Sequence, residues 1–178
     1  ELVHQNPYAE VAFNGGSYNT FRESVKAGTG LLKHGFSVDA RYSKVNSNGY
    51  VEHSNSDLHS YFVSGAWYGA KTMVKVLTFG GKERTGIAWD GISPTMWRDN
   101  PRYNGAGEYV DENGKMQYYK NNTDNYFQHH YQAHVSHIFN QKWSLNAALH
   151  YTRGDGYTEQ VKYAKHKDYA LQNYLDGD

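Results

Sequence analysis

The chain has 178 residues, with 18 basic and 18 acidic side chains and no cysteine. This balance excludes a global electrostatic attraction to nucleic acid, and the lack of cysteine excludes disulfides, thiolate metal sites and a cysteine nucleophile. Seventeen tyrosines and 18 glycines are atypical of disordered chains and of helical bundles, and no apolar run exceeds three residues, which excludes a transmembrane helix.

Alternation of apolar and polar residues predicts an all-β fold, because a strand places successive side chains on opposite faces. The pattern is clearest where Trp143, Leu145, Ala147 and Leu149 alternate with mostly polar residues. Each predicted strand has one apolar and one polar face. In chain order, we expect seven strands at about 9–16, 21–31, 36–44, 58–68, 72–80, 126–139 and 143–153.

The predicted connections alternate in length from the second strand onward. Successive connections of an antiparallel meander lie at opposite ends of the sheet, so one end collects tight turns and the other collects loops. This separation is typical of outer-membrane barrels and predicts an antiparallel up-and-down transmembrane β-barrel segment with long extracellular loops. The turns are predicted at 33–35, 69–71 and 140–142, and the loops at 46–57, at 82–125 and after Arg153.

Aromatic residues mark both limits of the predicted apolar faces. Between these limits the faces carry valine, alanine, leucine, threonine and glycine. Aromatic belts around an apolar band are typical of a protein in a bilayer, whereas aromatics that simply cap an ordinary sheet are the alternative. The predicted membrane girdle consists of Phe36, Tyr42, Trp67, Phe139, Trp143 and Tyr151.

The opposite faces are polar and partly charged, as the lumen side of a large barrel is. In a small soluble β-sandwich the same faces would lie in water. Seven strands cannot close a single-chain bacterial barrel, which has an even strand number, so we expect residues 1–178 to be the N-terminal part of the barrel domain of a larger receptor. The start, from Glu1 to His4, lacks an export signal, which fits an internal segment or a protein that is not exported.

Three successive segments of the chain resemble TonB-dependent outer-membrane receptors. Residues 16–20 (Gly-Ser-Tyr-Asn-Thr) with 26–31 (Lys-Ala-Gly-Thr-Gly-Leu) resemble their first barrel hairpin. Residues 36–43 with 47–50 resemble the next strand and loop, and residues 146–157 resemble a later strand and its loop. The resemblance is strongest to the Bacteroidetes receptors for siderophore-bound iron, haem or cobalamin. No single motif is specific, and the resemblance depends on their order and spacing over most of the chain.

This resemblance implies a barrel of about 22 strands filled by a plug domain, of which the chain would hold roughly the first third. It implies a location in the bacterial outer membrane, contact with the lipid there, and energy from the TonB complex of the inner membrane. The coupling segment and the plug of such receptors are not recognised within these residues. It also implies a small metal chelate as the transported ligand and no permanently bound cofactor.

The connection at 82–125 is predicted to carry the ligand contacts, since a connection this long is functional or disordered and its many aromatics argue against disorder. Asn113-Gly114 predicts a hairpin within it. Aromatic rings beside one carboxylate and one cation suit a ligand held by stacking and charge-assisted hydrogen bonds, although packing onto neighbouring loops is the alternative. The candidate ligand-binding residues are Trp89, Asp90, Trp97, Arg98 and Tyr103.

Metal and catalytic signals are weak. His130 and His134 share one face of the sixth strand, but they lie about 13 Å apart along it, too far to bind one ion, so no metal site is predicted. Asp124 and Asp155 give a weak indication of calcium in the loops. The sequence has no nucleophile elbow, zinc-protease or phosphate-binding motif, which predicts that the protein is not an enzyme.

The leading functional hypothesis is an outer-membrane active-transport receptor that binds and imports a metal chelate with TonB-supplied energy. A glycan importer of the starch-utilisation type is one alternative, because tryptophan and tyrosine also stack on sugars. A soluble carbohydrate-binding β-sandwich is the alternative from another class. It would bury Val38, Val63, Leu145 and Leu149 together between two sheets.

Overall fold

Seven antiparallel strands form one open sheet in the computed structural model, which describes residues 4–111 and 113–160. The elements in chain order are β1 (Tyr8–Gly16), β2 (Thr20–Gly28), a 3-10 helix (Lys33–Gly35), β3 (Phe36–Ser47), β4 (Ser56–Tyr68), β5 (Thr72–Gly86), α1 (Pro94–Asp99), β6 (Glu108–Val110), β7 (Met116–Tyr118), β8 (Thr123–Ile138) and β9 (Ser144–Glu159). The large sheet has the order β1-β2-β3-β4-β5-β8-β9, and β6 pairs only with β7. These strands confirm the predicted all-β antiparallel meander. None of the helices in the described ranges is long and apolar enough to cross a membrane.

The strand register places the alternating apolar residues on one side of the sheet. Val38 lies opposite Gly65, which lies opposite Val76, and the same row continues through Ala133 to Leu149. Directly opposite residues point to the same side, so the row forms one continuous surface. We call this side the apolar face; it also carries Val11, Val25, Tyr42, Val63, Val74, Val135, Ala147 and Tyr151.

The other side of the sheet carries most of the charged and histidine side chains of the strand centres. Lys26 lies opposite Arg41, and Gln132 lies opposite His150. The predicted assignment of the polar residues to one side is therefore confirmed. We call this side the polar face; it carries Glu10, Lys26, Asp39, Arg41, Lys75, Gln128, His130, Gln132, His134, Asn146 and His150, together with Phe62 and Phe79.

No second sheet covers the apolar face within the described residues. Val38 is 46% exposed, Val63 is 42% exposed, and Leu149 is 77% exposed. The buried hydrophobic side chains of the described ranges are Ala66, Ile87 and Ala106. A β-sandwich buries its inner faces in an interior about 10 Å thick, so the sheet as described does not have the core that the sandwich alternative requires.

Several strands extend further than the apolar alternation indicates. β5 continues to Gly86 and β8 begins at Thr123, so the long connection covers 87–122 rather than 82–125. β9 continues to Glu159, where a loop was predicted to follow Arg153; residues 161–178 of that predicted loop lie outside the described residues. Ladder hydrogen bonds need no apolar side chains, so pairing continues where the pattern becomes polar.

Candidate functional site

Three connections meet at one end of the sheet, which we call the loop end. They are residues 17–19, 48–55 and 87–122, whereas the opposite, turn end carries 29–35, 69–71 and 139–143. Apart from the tight turn at 17–19, long connections lie at one end and short ones at the other, as predicted. The longest connection contributes four of the buried residues in the described ranges, Ile87, Asn104, Ala106 and Asn122.

Hydrogen bonds dock the long connection onto residues 48–55. The Glu52 amide donates to the Arg102 carbonyl at 2.7 Å, and Asn100 Nδ2 donates to the Glu52 carboxylate at 3.3 Å. Asn104 Nδ2 donates to the Glu52 carbonyl at 2.9 Å and to the Ile87 carbonyl at 2.8 Å. Asn104 is only 4% exposed, so a single buried amide joins residues 48–55 to the first residue of the long connection.

Arg102 joins all three connections of the loop end. Its Nε donates to the Tyr50 carbonyl at 2.8 Å, and its guanidinium carbon lies 5.5 Å from the Tyr18 ring centre and 6.0 Å from that of Tyr50. The two rings pack edge-on with centres 5.6 Å apart. Tyr18 has a φ of 60°, a left-handed conformation that costs a bulky residue about 1–3 kcal/mol. The cation–π and ring contacts hold Tyr18 in this conformation.

The β6–β7 hairpin projects from the long connection and is closed by Asp111. The Asp111 carboxylate accepts hydrogen bonds from the Gln117 side chain at 2.9 Å and from the Asn113 and Lys115 amides at 3.0 and 2.9 Å. These bonds, with that of Gln117 foremost, lower the pKa of Asp111 below its ordinary value of 3.8. The predicted hairpin is confirmed, with Glu112 of its turn outside the described residues.

Acid should loosen this hairpin turn. Because folding lowers the pKa of Asp111, its ionised form stabilises the hairpin above pH of about 3.8, and this contribution is lost as the pH falls through the folded-state value. Hydrogen exchange at the Asn113 and Lys115 amides, corrected for intrinsic rates, measures the effect. We expect Asp111→Ala to remove the protection at every pH. An unchanged acid dependence in Asp111→Asn would contradict this account.

Two contacts fix the base of the hairpin to the rest of the protein. The His53 ring stacks on Tyr118 with centres 3.4 Å apart and planes 15° apart. The Tyr119 hydroxyl donates to Glu159 at the end of β9 at 2.5 Å, and this bond raises the pKa of Tyr119. The hairpin is thus tied to residues 48–55 on one side and to β9 on the other.

Four of the five predicted ligand-binding residues are open to solvent. Trp89 and Trp97 are 60% and 59% exposed, and Asp90 and Arg98 are also exposed. Trp97 and Arg98 lie on α1, whose N-terminus is capped by Ser93, since its Oγ accepts from the Met96 amide at 3.2 Å. The two indoles are therefore not packed into the loop end, and they are available for stacking on a ligand.

The fifth predicted residue, Tyr103, is engaged within the loop. Its hydroxyl donates to Glu108 at 2.7 Å, and this hydrogen bond raises the pKa of Tyr103. The residues that build the loop end, above all Arg102 and Asn104, were not predicted. Their partners lie 52 positions away in the sequence, and the only local signal was the turn-forming pair Asn104-Gly105.

The polar face carries a charged concavity of about 450 Å³. Its lining includes Lys26, Asp39, Arg41 and Lys75, with the Tyr8 hydroxyl donating to Asp39 at 2.7 Å. Two further concavities, of about 550 and 440 Å³, lie along the same face. These concavities lie on the polar face, where charges of both signs suit a polar ligand or a polar protein surface.

The structure does not bring the two predicted calcium-binding acids together. Asp124 lies opposite Thr158 and Asp155 lies opposite Phe127, so the two carboxylates belong to opposite faces and cannot share an ion. Within the described ranges, no group of three or more histidine, aspartate or glutamate side chains is close enough to hold a metal.

Comparisons with known proteins assign no family to this chain. No protein-family model, curated protein or solved structure matches it. The functional information in this chain therefore comes from the two faces of the sheet and from the loop end.

Proposed function

We propose that the chain is part of an outer-membrane active-transport receptor of the TonB-dependent type that binds and imports a metal chelate. In this proposal the sheet is an arc of a transmembrane barrel whose apolar face contacts lipid and whose polar face lines the lumen. The loop end is extracellular and binds the chelate, and the TonB complex supplies the energy for import.

The observation that carries the proposal is a charge-free band on the exposed apolar face. One limit is the row from Ala40 to Tyr151 and the other is the row from Phe36 to Ala147. From β3 to β9, these two rows and the row between them contain no aspartate, glutamate, lysine, arginine or histidine. Soluble monomers rarely expose a contiguous apolar surface beyond a few hundred Å², whereas a barrel in lipid requires such a band.

Tyrosines form the limit of the band on the loop side. Tyr42 lies opposite Tyr61, and Tyr131 lies opposite Tyr151 with ring centres 6.2 Å apart. Tyrosine is enriched at membrane interfaces because its ring is apolar and its hydroxyl is polar. The row of Tyr42 and Tyr61 lies just outside the charge-free band, since it also carries His129 and Arg153. The next row on this face is charged as well and carries Glu23, Lys44, His59, Lys82 and Asp155.

Phenylalanines and tryptophans form the limit on the turn side. Phe36 lies opposite Trp67, whose Nε1 donates to the His34 carbonyl at 3.1 Å. Phe139 and Trp143 flank the β8–β9 turn and are 56% and 70% exposed. The interval from Trp143, which directly precedes β9, to Tyr151 is close to the roughly 9–11 residues that a transmembrane strand needs.

The edges of the sheet support its continuation into further strands. β9 pairs with β8 along all of its length, and its other edge is the end of the strand order. Soluble proteins avoid long unpaired edges, and barrel closure removes them. Among the described residues, β1 and β9 each have one unpaired edge, which supports the interpretation of the sheet as an arc of a larger barrel.

The loop end supports the ligand part of the proposal. Trp89 and Trp97 offer exposed flat surfaces for a conjugated ligand, and Arg98 offers a planar cation for a carboxylate. The docking by Arg102 and Asn104 holds the segment that carries α1 to the neighbouring connection. Aromatic surfaces on a rigid support suit the binding of a bulky chelate such as haem, cobalamin or a ferric siderophore.

A growth experiment tests import. We expect deletion of the gene to abolish growth when haem or a ferric siderophore is the sole source of iron, or when cobalamin must be taken up from the medium. The wild-type gene should restore growth. The double variant Trp89→Ala, Trp97→Ala should weaken ligand binding about tenfold, since each stacking contact contributes about 0.5–1.5 kcal/mol.

The matched control is Met116→Ala, an exposed apolar residue of the neighbouring hairpin, which should leave growth unchanged. If growth on a polysaccharide depends on the gene and growth on the chelates does not, the protein is a glycan importer. If no substrate depends on it, the transport proposal fails.

A further inference from the structure

Two histidines from adjacent strands face each other on the polar face. His130 lies on β8 and His150 on β9, at diagonal positions, because His130 is directly opposite Thr152 and Gln132 is directly opposite His150. His130 Nδ1 and His150 Nε2 are 3.3 Å apart. The Thr152 hydroxyl oxygen is 2.9 Å from the first nitrogen and 2.7 Å from the second.

These three atoms have the spacing of one face of a metal coordination shell. Ligand atoms about 2.1 Å from a metal are about 3.0 Å apart in an octahedron and about 3.4 Å apart in a tetrahedron. The observed separations of 3.3 and 2.9 Å are close to these values, and the third, 2.7 Å, is slightly shorter. A metal above the triangle therefore requires only a small outward shift of the Thr152 hydroxyl from the His150 ring. Imidazole nitrogens suit zinc, copper and nickel.

A hydrogen bond to Gln128 orients the His130 ring so that Nδ1 faces His150. The Nε2 of His130 is 3.1 Å from Gln128 Oε1, and in the tautomer whose Nε2 donates to this oxygen, Nδ1 presents a lone pair. The ring also stacks on Phe79 with centres 4.5 Å apart and planes 16° apart. Metal-binding histidines are commonly held by a hydrogen bond from the other ring nitrogen in this way.

We propose that His130, His150 and Thr152 bind a divalent transition-metal ion such as Ni²⁺ or Zn²⁺ on the polar face, with water completing the coordination. The site is exposed on the polar face, so an ion reaches it from solvent. It differs from the arrangement that the sequence excluded, because the second histidine comes from the neighbouring strand and not from position 134. It requires neither lipid nor TonB, so its test is independent of the transport proposal.

The histidine pair has a close internal control in His134. This residue lies on the same strand and the same face, and its Nε2 is 3.1 Å from Gln132 Oε1, as His130 is paired with Gln128. It has no second histidine bonded to it among the described residues. Replacement of His134 therefore removes an equivalent imidazole that has no histidine partner, and it isolates the effect of the His130–His150 pair.

Titration calorimetry with Ni²⁺ and with Zn²⁺, each added alone to the protein produced without a polyhistidine tag, tests the site. We expect one ion per chain, with affinity that falls on acidification because protons compete for the imidazole nitrogens. His130→Ala and His150→Ala should each weaken binding by more than tenfold. Gln128→Leu should weaken it about tenfold, since it removes the partner that orients the ring.

His134→Ala should leave the affinity within twofold of wild type. Far-UV circular dichroism of each variant shows that the strands persist, and His130→Gln and His150→Gln provide second variants of similar size. Wild-type affinity in His150→Ala, an equal loss in His134→Ala, or no binding at millimolar metal would each overturn the proposal. A loss of metal affinity that occurs only in the His130 and His150 variants, with the strands preserved, would establish the site.

Discussion

Val76→Arg should destabilise the folded protein in a lipid bilayer by about 2–4 kcal/mol, the cost of an arginine on the lipid face of a barrel near the bilayer midplane. Val76 is 57% exposed and lies in the middle row of the charge-free band, between Gly65 and Ala133. A charge at this position has no polar partner to reach within the band. Urea unfolding of the protein reconstituted in liposomes, followed by tryptophan fluorescence, measures the loss.

The matched control is Leu77→Arg, one residue further on the same strand and on the polar face, where it lines a concavity beside Lys75 and His134. There we expect a change within about 1 kcal/mol. The chain contains no cysteine, so Val76→Cys and Leu77→Cys each introduce the chain's only thiol. A water-soluble maleimide should label the thiol at 77 and not the one at 76. Equal labelling, or a neutral Val76→Arg, would show that the apolar face does not contact lipid.

The sequence predicted the faces of the sheet because the side-chain period of a strand is two and leaves little freedom. The alternation of Trp143, Leu145, Ala147 and Leu149 assigned their common side without any knowledge of the neighbouring strand. The ends of β5 and β9 were not predicted, because ladder hydrogen bonds continue through polar residues such as Lys82 and Asp155. Backbone pairing depends on the partner strand, and local composition does not report it.

The sequence predicted the loop end only where contacts are local. Asn113-Gly114 indicated a hairpin because the turn conformation is a property of those residues themselves. Arg102 acts on Tyr50, 52 positions away, and no periodic pattern connects them. The contact between His130 and His150 was not predicted for the same reason. It depends on the β8–β9 register, which strand alternation leaves open.

The exposed aromatics of the loop end are useful only if the segment that carries them is held in place. Arg102 lies on the surface of the docked segment, whereas Asn104 is buried and bonds two other stretches of backbone. A buried donor that loses its partner costs more than an exposed one, because water cannot replace the lost bond. The rigidity of α1 and its Trp97 therefore depends mainly on Asn104.

Asn104→Leu should undock the long connection. The substitution leaves the Glu52 and Ile87 carbonyls and the Ala106 amide without the bonds that Asn104 now makes. Each buried unpaired group costs about 1–3 kcal/mol. After partial relaxation, we expect the free energy of opening the long connection to fall by about 3 kcal/mol. This loss raises the open population of the connection about 100-fold, and ligand affinity should fall with it.

Limited trypsin digestion after Arg102 measures this opening, since cleavage of a rapidly reclosing segment follows the population of its open form. The free energy of unfolding of the whole sheet, measured with urea, should change far less. The hydrogen bonds of the Asn104 side chain go to Glu52, Ile87 and Ala106, which lie outside the strands. Asn113→Ala is the control, since its side chain is exposed in the hairpin turn and its loss should leave cleavage after Arg102 unchanged. An equal rate in Asn104→Leu and wild type would mean that the docking of residues 87–122 onto 48–55 is held by the Arg102 cluster and not by the buried amide.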